Sequence, residues 1–207
     1  MADTAVTVQT DIDNSIARAK DVAKTQWADP QLLIFTNKAV DYIYKLLIRI
    51  GSELVKTDAT IPIVESTQEY LLATHLPDFW SMSTKGVYFT DFLTPCTHED
   101  KIRAGSTTTD VAPTMYYLTD THLGVVNIPT ATSVAAYPTL NCRYYKKNTT
   151  LALTDNMPFK NLFNEPISAF VDHIAVLKTT APTEEFTALY NALEESTLEI
   201  ARNRIPI

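Results

Sequence analysis

The spacing of apolar side chains divides the chain into three stretches: helical, then strand-like, then helical again. After a polar start, Ile16 to Lys24 carries enough apolar rhythm for a short helix, with Asp13 or Asn14 as its cap. Trp27-Ala28-Asp29-Pro30 opens a clearer one, with Asp29 as N-cap and Pro30 at the first helical position, where its missing N–H costs nothing. This helix is expected to run to Ile50 and stop near Gly51. Plotted at ~100° per residue, Leu32, Phe35, Ala39, Ile43, Leu46 and Ile50 form the centre of its apolar arc. Leu33, Val40, Tyr44, Leu47 and Ile48 widen one flank, and only Lys38, Asp41, Lys45 and Arg49 make a polar strip. A surface helix needs an apolar stripe of little more than ~100°, and this arc is roughly twice that. Two sides of the helix must therefore be covered, either both inside one bundle or one of them by a neighbouring subunit.

From Thr57 to Thr154 the rhythm changes. Prolines 62, 77, 95, 113, 129 and 138 separate short runs rich in Val, Ile, Thr, Tyr and Phe, which predict strands at Ile61–Val64, Val87–Phe89, Thr114–Leu118, Leu123–Ile128 and Leu140–Lys146. Thr114–Leu118 and Leu123–Ile128 flank a turn at Asp120 and predict a hairpin. Alternation in the last run puts Leu140, Cys142 and Tyr144 on one face. Thr97 to Arg103 predicts a single helical turn capped by Thr97.

Helical spacing then returns. Asn164-Glu165-Pro166 starts a helix carrying Ile167, Phe170, Val171, Ile174 and Leu177, and Thr179 to Pro182 breaks it. A last helix begins near Thr183-Glu184-Glu185, its acids at the positive end, and the chain finishes in Arg202-Asn203-Arg204-Ile205-Pro206-Ile207. Neither helical block hides its apolar face alone. The expected fold class is α+β: an antiparallel helical bundle from residues 1–56 and 156–207, with an inserted antiparallel β domain at 57–155.

Composition narrows the function more than it names it. At 207 residues, 45% hydrophobic and 20% charged, the chain is an ordinary folded protein. No apolar run approaches the ~20 residues of a membrane span. The start MADTAVTVQTDIDN has neither a basic region nor an apolar one, so the chain is expected to stay where it is made. A net charge of −7, with basic residues scattered, argues against tight wrapping of nucleic acid. Cys96 and Cys142 lack any metal-ligand spacing and read as buried free thiols.

The four glycines, Gly51, Gly86, Gly105 and Gly124, lie far apart. Phosphate-cradling loops and nucleophile elbows need glycines at short fixed spacing, so those enzyme classes are excluded. His98-Glu99-Asp100 places three potential ligands in a row, but neighbours on a helical turn point apart and do not converge on one metal. His173 lacks a second histidine four residues away, and His75 and His122 sit at loop positions. No pair among the 24 acidic residues is singled out for glycosidic chemistry. The pairs Tyr116-Tyr117 and Tyr144-Tyr145 could stack on sugar rings, though strand alternation, one ring in and one out, explains them more simply. The residues point to no catalysis, cofactor or metal.

The order of several motifs carries more. Trp27, Asp29, Leu32, Leu33, Asn37 and Ala39 form W-x-D-x-x-L-L-x-x-x-N-x-A. Tyr70 and Leu76-Pro77-Asp78-Phe79 follow, then P-T-x-Y at Pro113–Tyr116, Ile128-Pro129, Arg143-Tyr144-Tyr145, and Leu153 to Pro158 before two closing helices. Each is weak alone; in this order, from residue 12 to 202, the chain resembles the head-to-tail adaptor (connector) proteins of tailed bacteriophages, including short-tailed ones. It departs from their pattern by extra residues Leu71 to His75, and by Leu54-Val55-Lys56 where Arg-Pro-Asp often stands.

The resemblance implies a virion structural protein of the head–tail neck, made in the host cytoplasm and not an enzyme. Its copies would form a ring, commonly a dodecamer, docked on the portal protein and on a tail or nozzle protein, with no membrane contact. The bundle would build the wall, the strand domain would project outward, and DNA would pass through the lumen without tight binding. The resemblance favours the neighbouring-subunit reading of the long helix, with Val40, Tyr44 and Ile48 as subunit contacts. Arg202, Arg204, Ile205 and Ile207 would dock on the portal. The alternatives are another tail completion or baseplate structural protein, and a carbohydrate-binding module or enzyme using the tyrosine-rich strands.

Overall fold

The computed structural model describes residues 6–19, 27–104, 107–177 and 183–204. Among them the fold is α+β, with seven α-helices and nine strands. The chain divides into two compact units. One is built from the chain before Val55 and after Lys147, the other from Val55–Lys147. The return to the helical unit thus comes at Asn148, earlier than 156, and residues 153–157 pair with the first described segment: Val8 N–H donates to Asp155 O (2.9 Å), Gln9 N–H to Leu153 O (3.0 Å) and Met157 N–H to Val6 O (2.9 Å).

The helical unit contains α1 (Val8–Arg18), α2 (Asp29–Arg49), α6 (Asn164–Leu177) and α7 (Thr183–Arg204). α1 starts eight residues before the sequence-based estimate. Its cap is Thr7, whose Oγ1 accepts the Thr10 N–H (3.2 Å), and Val8, Ile12 and Ile16 recur every fourth residue on its buried face. Asp11 and Ser15 share that face, and these buried polar residues disguise the helical rhythm. Residues 20–24 of the expected helix lie outside the described residues.

α2 is capped differently from expectation. Ala28 holds the N-cap position, and the Gln31 side chain reaches back to its N–H (2.9 Å). Asp29 is already helical and accepts from Gln9 Nε2 of α1 (3.2 Å). At the far end Gly51 adopts φ 75°, its N–H donating to Ile48 O (3.0 Å) and the Ser52 N–H to Leu47 O (2.9 Å). That left-handed residue is why the helix stops where glycine stands. α2 packs against α1, α6 and α7, and α1 and α7 each pack on α6.

Asn37 ties α2 to the returning chain. Its amide donates to Leu33 O (3.0 Å) and Leu151 O (3.1 Å), and its carbonyl accepts the Leu151 N–H (2.7 Å).

In the other unit, β1 (Lys56–Pro62), β9 (Thr139–Lys146) and β3 (Phe79–Tyr88) form an antiparallel sheet in the order β1-β9-β3. β9 is the inner strand, with Ile61 opposite Leu140, Ala59 opposite Cys142 and Thr57 opposite Tyr144. Leu140, Cys142 and Tyr144 are all buried, as the alternation requires. β3 follows β9 through two register shifts; at the second, a Cβ on Gly86 would run into the carbonyl oxygens of Ser83 and Arg143. The second sheet takes β2 (Glu69–Leu71), β7 (His122–Val125), β6 (Met115–Leu118) and β4 (Thr94–Pro95) in the order β2-β7-β6-β4. β6 and β7 are the predicted hairpin, with Tyr117 opposite Gly124.

The sheets are not wholly antiparallel. β4 runs parallel to β6, and β5 (Thr108–Thr109) runs parallel to β8 (Ile128–Pro129). Both pairs are two residues long, brought together by loops rather than by hairpins. Short helices α3 (Leu72–His75), α4 (His98–Ala104) and α5 (Ala131–Ala136) complete the unit. Thr97 caps α4 in a reciprocal arrangement with Asp100. The two larger sheets share one apolar cluster that includes Ile61, Leu76, Val87, Leu123, Val125, Leu140 and Cys142.

Replacing Asn37 by Ala leaves both main-chain groups of Leu151 without their partner. Asn37→Ala should lower stability by about 2 kcal/mol, since orphaned buried polar groups cost roughly 1–3 kcal/mol. A urea midpoint indistinguishable from that of the parent chain would contradict the clasp.

Candidate functional site

The α2 side chains expected at a subunit contact do not lie free on the surface. Val40 is 0% exposed and Tyr44 7%, and the Tyr44 ring packs on Phe159 at 5.3 Å. Ile48 is half-buried. The wide apolar arc is covered largely by the chain itself, because α1, α6 and α7 all lean on α2. Val40 and Tyr44 are therefore corrected to core residues. The width of an arc says how much must be hidden, not which molecule hides it. The large apolar side chains left exposed here are Ile34 of α2, at 55%, and Ile50 at its C-cap, at 41%. Of the expected portal-docking residues, Arg202 is exposed on α7. The side chain of Arg204, and Ile205 and Ile207, lie outside the described residues.

The tyrosine pairs do not form an open platform. Tyr116, Tyr117, Tyr144 and Tyr145 are all buried. Both rings of each pair are covered, where alternation alone put one of them outside. Tyr117 shows how. Glu69, Gly124 and Tyr117 are neighbours across β2, β7 and β6. Gly124 has no Cβ, so the Tyr117 ring lies flat across β7 and its hydroxyl donates to Glu69 Oε1 (2.8 Å). Lys101 of α4 closes the group, its Nζ 2.5 Å from Glu69 Oε1 and 4.3 Å from the centre of the Tyr117 ring. Burial, with Glu69 adding to it, pushes the Tyr117 hydroxyl up to about 12. The Lys101 ammonium and the Tyr117 hydroxyl hold the Glu69 carboxyl below its usual range. Tyr144, raised by burial and by its hydrogen bond to Asp78 Oδ1 (2.6 Å), likewise keeps its proton. These hydroxyls are donors in fixed ties, not acids or nucleophiles poised near neutrality.

Polar ties recur in the helical unit. Glu194 of α7 accepts from the Tyr42 hydroxyl (2.5 Å) and pairs with Arg49, joining α7 to α2. Arg18 of α1 pairs with Asp172 of α6 (2.5 Å). Beside that pair lies Asp11, only 5% exposed, accepting the Ser168 hydroxyl on one oxygen while the other has no partner. Burial raises its carboxyl above the usual value, against the opposing pull of the Ser168 bond and the Arg18 charge.

Among the described residues no three metal-capable side chains come together. His75 lies edge-on to Tyr70, His122 Nδ1 meets Thr121 Oγ1 at 2.8 Å, and the side chain of His98 lies outside the described residues. Cys142 is buried, its thiol pushed up to about 12, but Cys96 is only half-buried, contrary to expectation. No helix among the described residues is long and apolar enough to cross a membrane. Adjoining cavities of 220 Å³ and 340 Å³ lie between α6 and α7, and one of 130 Å³ lies beside Phe92 and Tyr137. The α6/α7 groove carried no signal in the sequence, because it is made by side chains of two helices that only the packing brings together, among them Ala169, Phe170, Ala192 and Leu193. No family model matches the chain, and no curated protein matches it by sequence.

Two outcomes follow. A methyl group at position 124 collides with a buried ring, so Gly124→Ala should cost about 2 kcal/mol, within the ~1–3 kcal/mol typical of overpacking, and should change the near-ultraviolet circular dichroism of tyrosine. An unaltered spectrum and midpoint would refute the stacked geometry. For Asp11 the folded pKa is raised, so its contribution to stability is fully present below the ordinary value near 3.8 and is lost as pH rises through the folded value. Asp11→Asn should therefore raise the denaturation midpoint at neutral pH, with the gain shrinking as the medium is acidified. A gain that grew on acidification would reverse the assignment.

Proposed function

We propose that the chain is a non-catalytic virion protein, a subunit of the head-to-tail adaptor ring that joins the portal to the tail of a tailed phage. The observation that carries this reading is the role of the residues on which the resemblance rests. Trp27 Nε1 donates to Ala175 O (3.2 Å), tying the start of α2 to α6. Asp29 receives α1, Leu32 and Ala39 are wholly buried, and Asn37 holds Leu151. The Tyr70 hydroxyl accepts the Val64 N–H (3.3 Å) and donates to Thr67 O (3.0 Å). Asp78 receives the Tyr144 hydroxyl, and Leu153 and Asp155 receive the first turn of α1. Trp27, Asp29, Asn37, Asp78, Leu153 and Asp155 tie separate segments together, Tyr70 fastens the loop just before it, and Leu32 and Ala39 lie in the core. That the motif residues of the resemblance have structural roles here supports the reading more strongly than composition could.

In this reading α1, α2, α6 and α7 form an antiparallel bundle that builds the ring wall, and the strand-rich unit projects outward. The end of the chain reaches the portal, and a tail or nozzle protein meets the opposite side. DNA passes through a lumen that does not retain it, which suits a chain of net charge −7. The polar clusters, whose tyrosine hydroxyls bridge separate segments, suit a structural role. With Val40 and Tyr44 in the core, contacts between copies fall to the apolar side chains that remain outside.

The test is electron microscopy of the full chain mixed with portal, beside a variant ending at Arg202. Portal particles should gain an added ring with the full chain and none with the variant, while circular dichroism and melting temperature stay unchanged. A variant that still joins portals would remove the terminal docking segment from the proposal. Gold labelling of virions at a baseplate or tail tip, rather than the neck, would overturn the reading itself.

A further inference from the structure

We propose that the groove between α6 and α7 receives the Ile34–Lys38 ridge of α2 from a second copy of this chain, so that copies join head to tail. The inference rests on the ring reading and supplies its contact.

α7 is 22 residues long, yet among its described side chains only Leu193, Thr197 and Ala201 are buried. Against α6 it leaves a groove lined by Pro166, Ala169 and His173 on one side and by Leu189, Ala192 and Ser196 on the other. Ala192 and Ser196 are one turn apart, and side chains this small let another helix approach closely. The groove continues into the second cavity, which is lined by Glu165 and Glu199. Both carboxylates are exposed, so an apolar trough ends in an acidic rim.

An apolar tip next to a cation complements such a groove, and α2 carries one on an exposed helical face. Ile34 is 55% exposed. One turn on, the exposed Lys38 holds its ammonium 5.2 Å from the centre of the Phe35 ring. Residues four apart on a helix stand about 6 Å apart on one face. Ile34 can thus enter the trough while Lys38 faces the rim. Copies of an acidic chain repel one another overall, so a local pairing of opposite charge fixes which surfaces meet. No residue of α2 lines the groove, so ridge and groove are different surfaces of one molecule. Such a contact leaves a free ridge and a free groove after each addition and closes only as a ring, whereas a self-complementary patch would stop at a dimer.

The experiment uses the full chain with Cys96→Ser, leaving the buried Cys142 in place. Ile34→Cys and Ala192→Cys together, on mild oxidation, should give a ladder of covalent multimers. The two single variants mixed should stop at a dimer. In sedimentation velocity Ala192→Trp and Lys38→Glu, both at exposed positions, should each weaken association at least tenfold, and Lys38→Glu with Glu199→Lys should recover it. Absence of the 34–192 cross-link, or association unchanged by Ala192→Trp, overturns the groove contact. A chain that stays monomeric but labels the virion neck overturns the contact and leaves the adaptor reading standing. A 34–192 ladder from a protein that labels elsewhere upholds the contact and overturns the adaptor reading.

Discussion

Asn37 makes three hydrogen bonds with one carboxamide: one to its own helix and two to the main chain of Leu151, 114 residues further on. The helical unit depends on that junction. Its polypeptide leaves after Leu54 and comes back at Asn148, so nothing covalent keeps the returning strand in register with α2. An amide is suited to the task because it donates and accepts in one plane, matching both groups of a peptide unit at once. Immediately downstream, the main chain of residues 153–157 takes the first described segment alongside it, so α1 is positioned by the returning segment as much as by α2.

Around that junction the molecule uses polar side chains as fasteners. The clusters that would attract a search for chemistry, Tyr117 with Glu69 and Lys101, Tyr144 with Asp78, and Tyr42 with Glu194 and Arg49, each bridge separate segments. Their tyrosine hydroxyls are all raised, and at Tyr117 and Tyr144 burial is the larger cause. Asp11 is the exception among these ties. It carries a carboxyl into the α1–α6 contact and satisfies only one of its oxygens, so it holds Ser168 at a cost that its neighbours offset in part.

What the sequence disclosed and what it concealed follow from the same physics. The limits of α2 and the start of α6 were legible because proline and glycine restrict the backbone locally, wherever the rest of the chain goes. β9 and the β6–β7 hairpin were legible because alternation is local too. α1 was misplaced because Asp11, which accepts a bond from Ser168 on α6, and the buried Ser15 interrupt its apolar spacing. The parallel pairs β4–β6 and β5–β8 join short segments through long connections and leave no local trace. Burial of both rings in each tyrosine pair was hidden for a related reason: a glycine on one strand, a glutamate on another and a lysine on a helix decide the position of Tyr117. The candidate contact residues fared worst. Val40 and Tyr44 were recognisable as residues that must be covered, but what covers them is set by α1, α6 and α7 together.

A unit assembled from both ends of a polypeptide has a history as well as a shape. While the chain emerges from the ribosome, α1 and α2 are made first, and the other covering helices, α6 and α7, come only after the whole strand-rich unit has been synthesised. Until then only α1 is there to cover the greasy face of α2, and the rest of that face is open to chaperones. A message cut short anywhere before α6 yields a product that cannot shelter that face, whereas in a finished copy Leu32, Ala39, Val40, Ile43 and Leu47 are wholly buried.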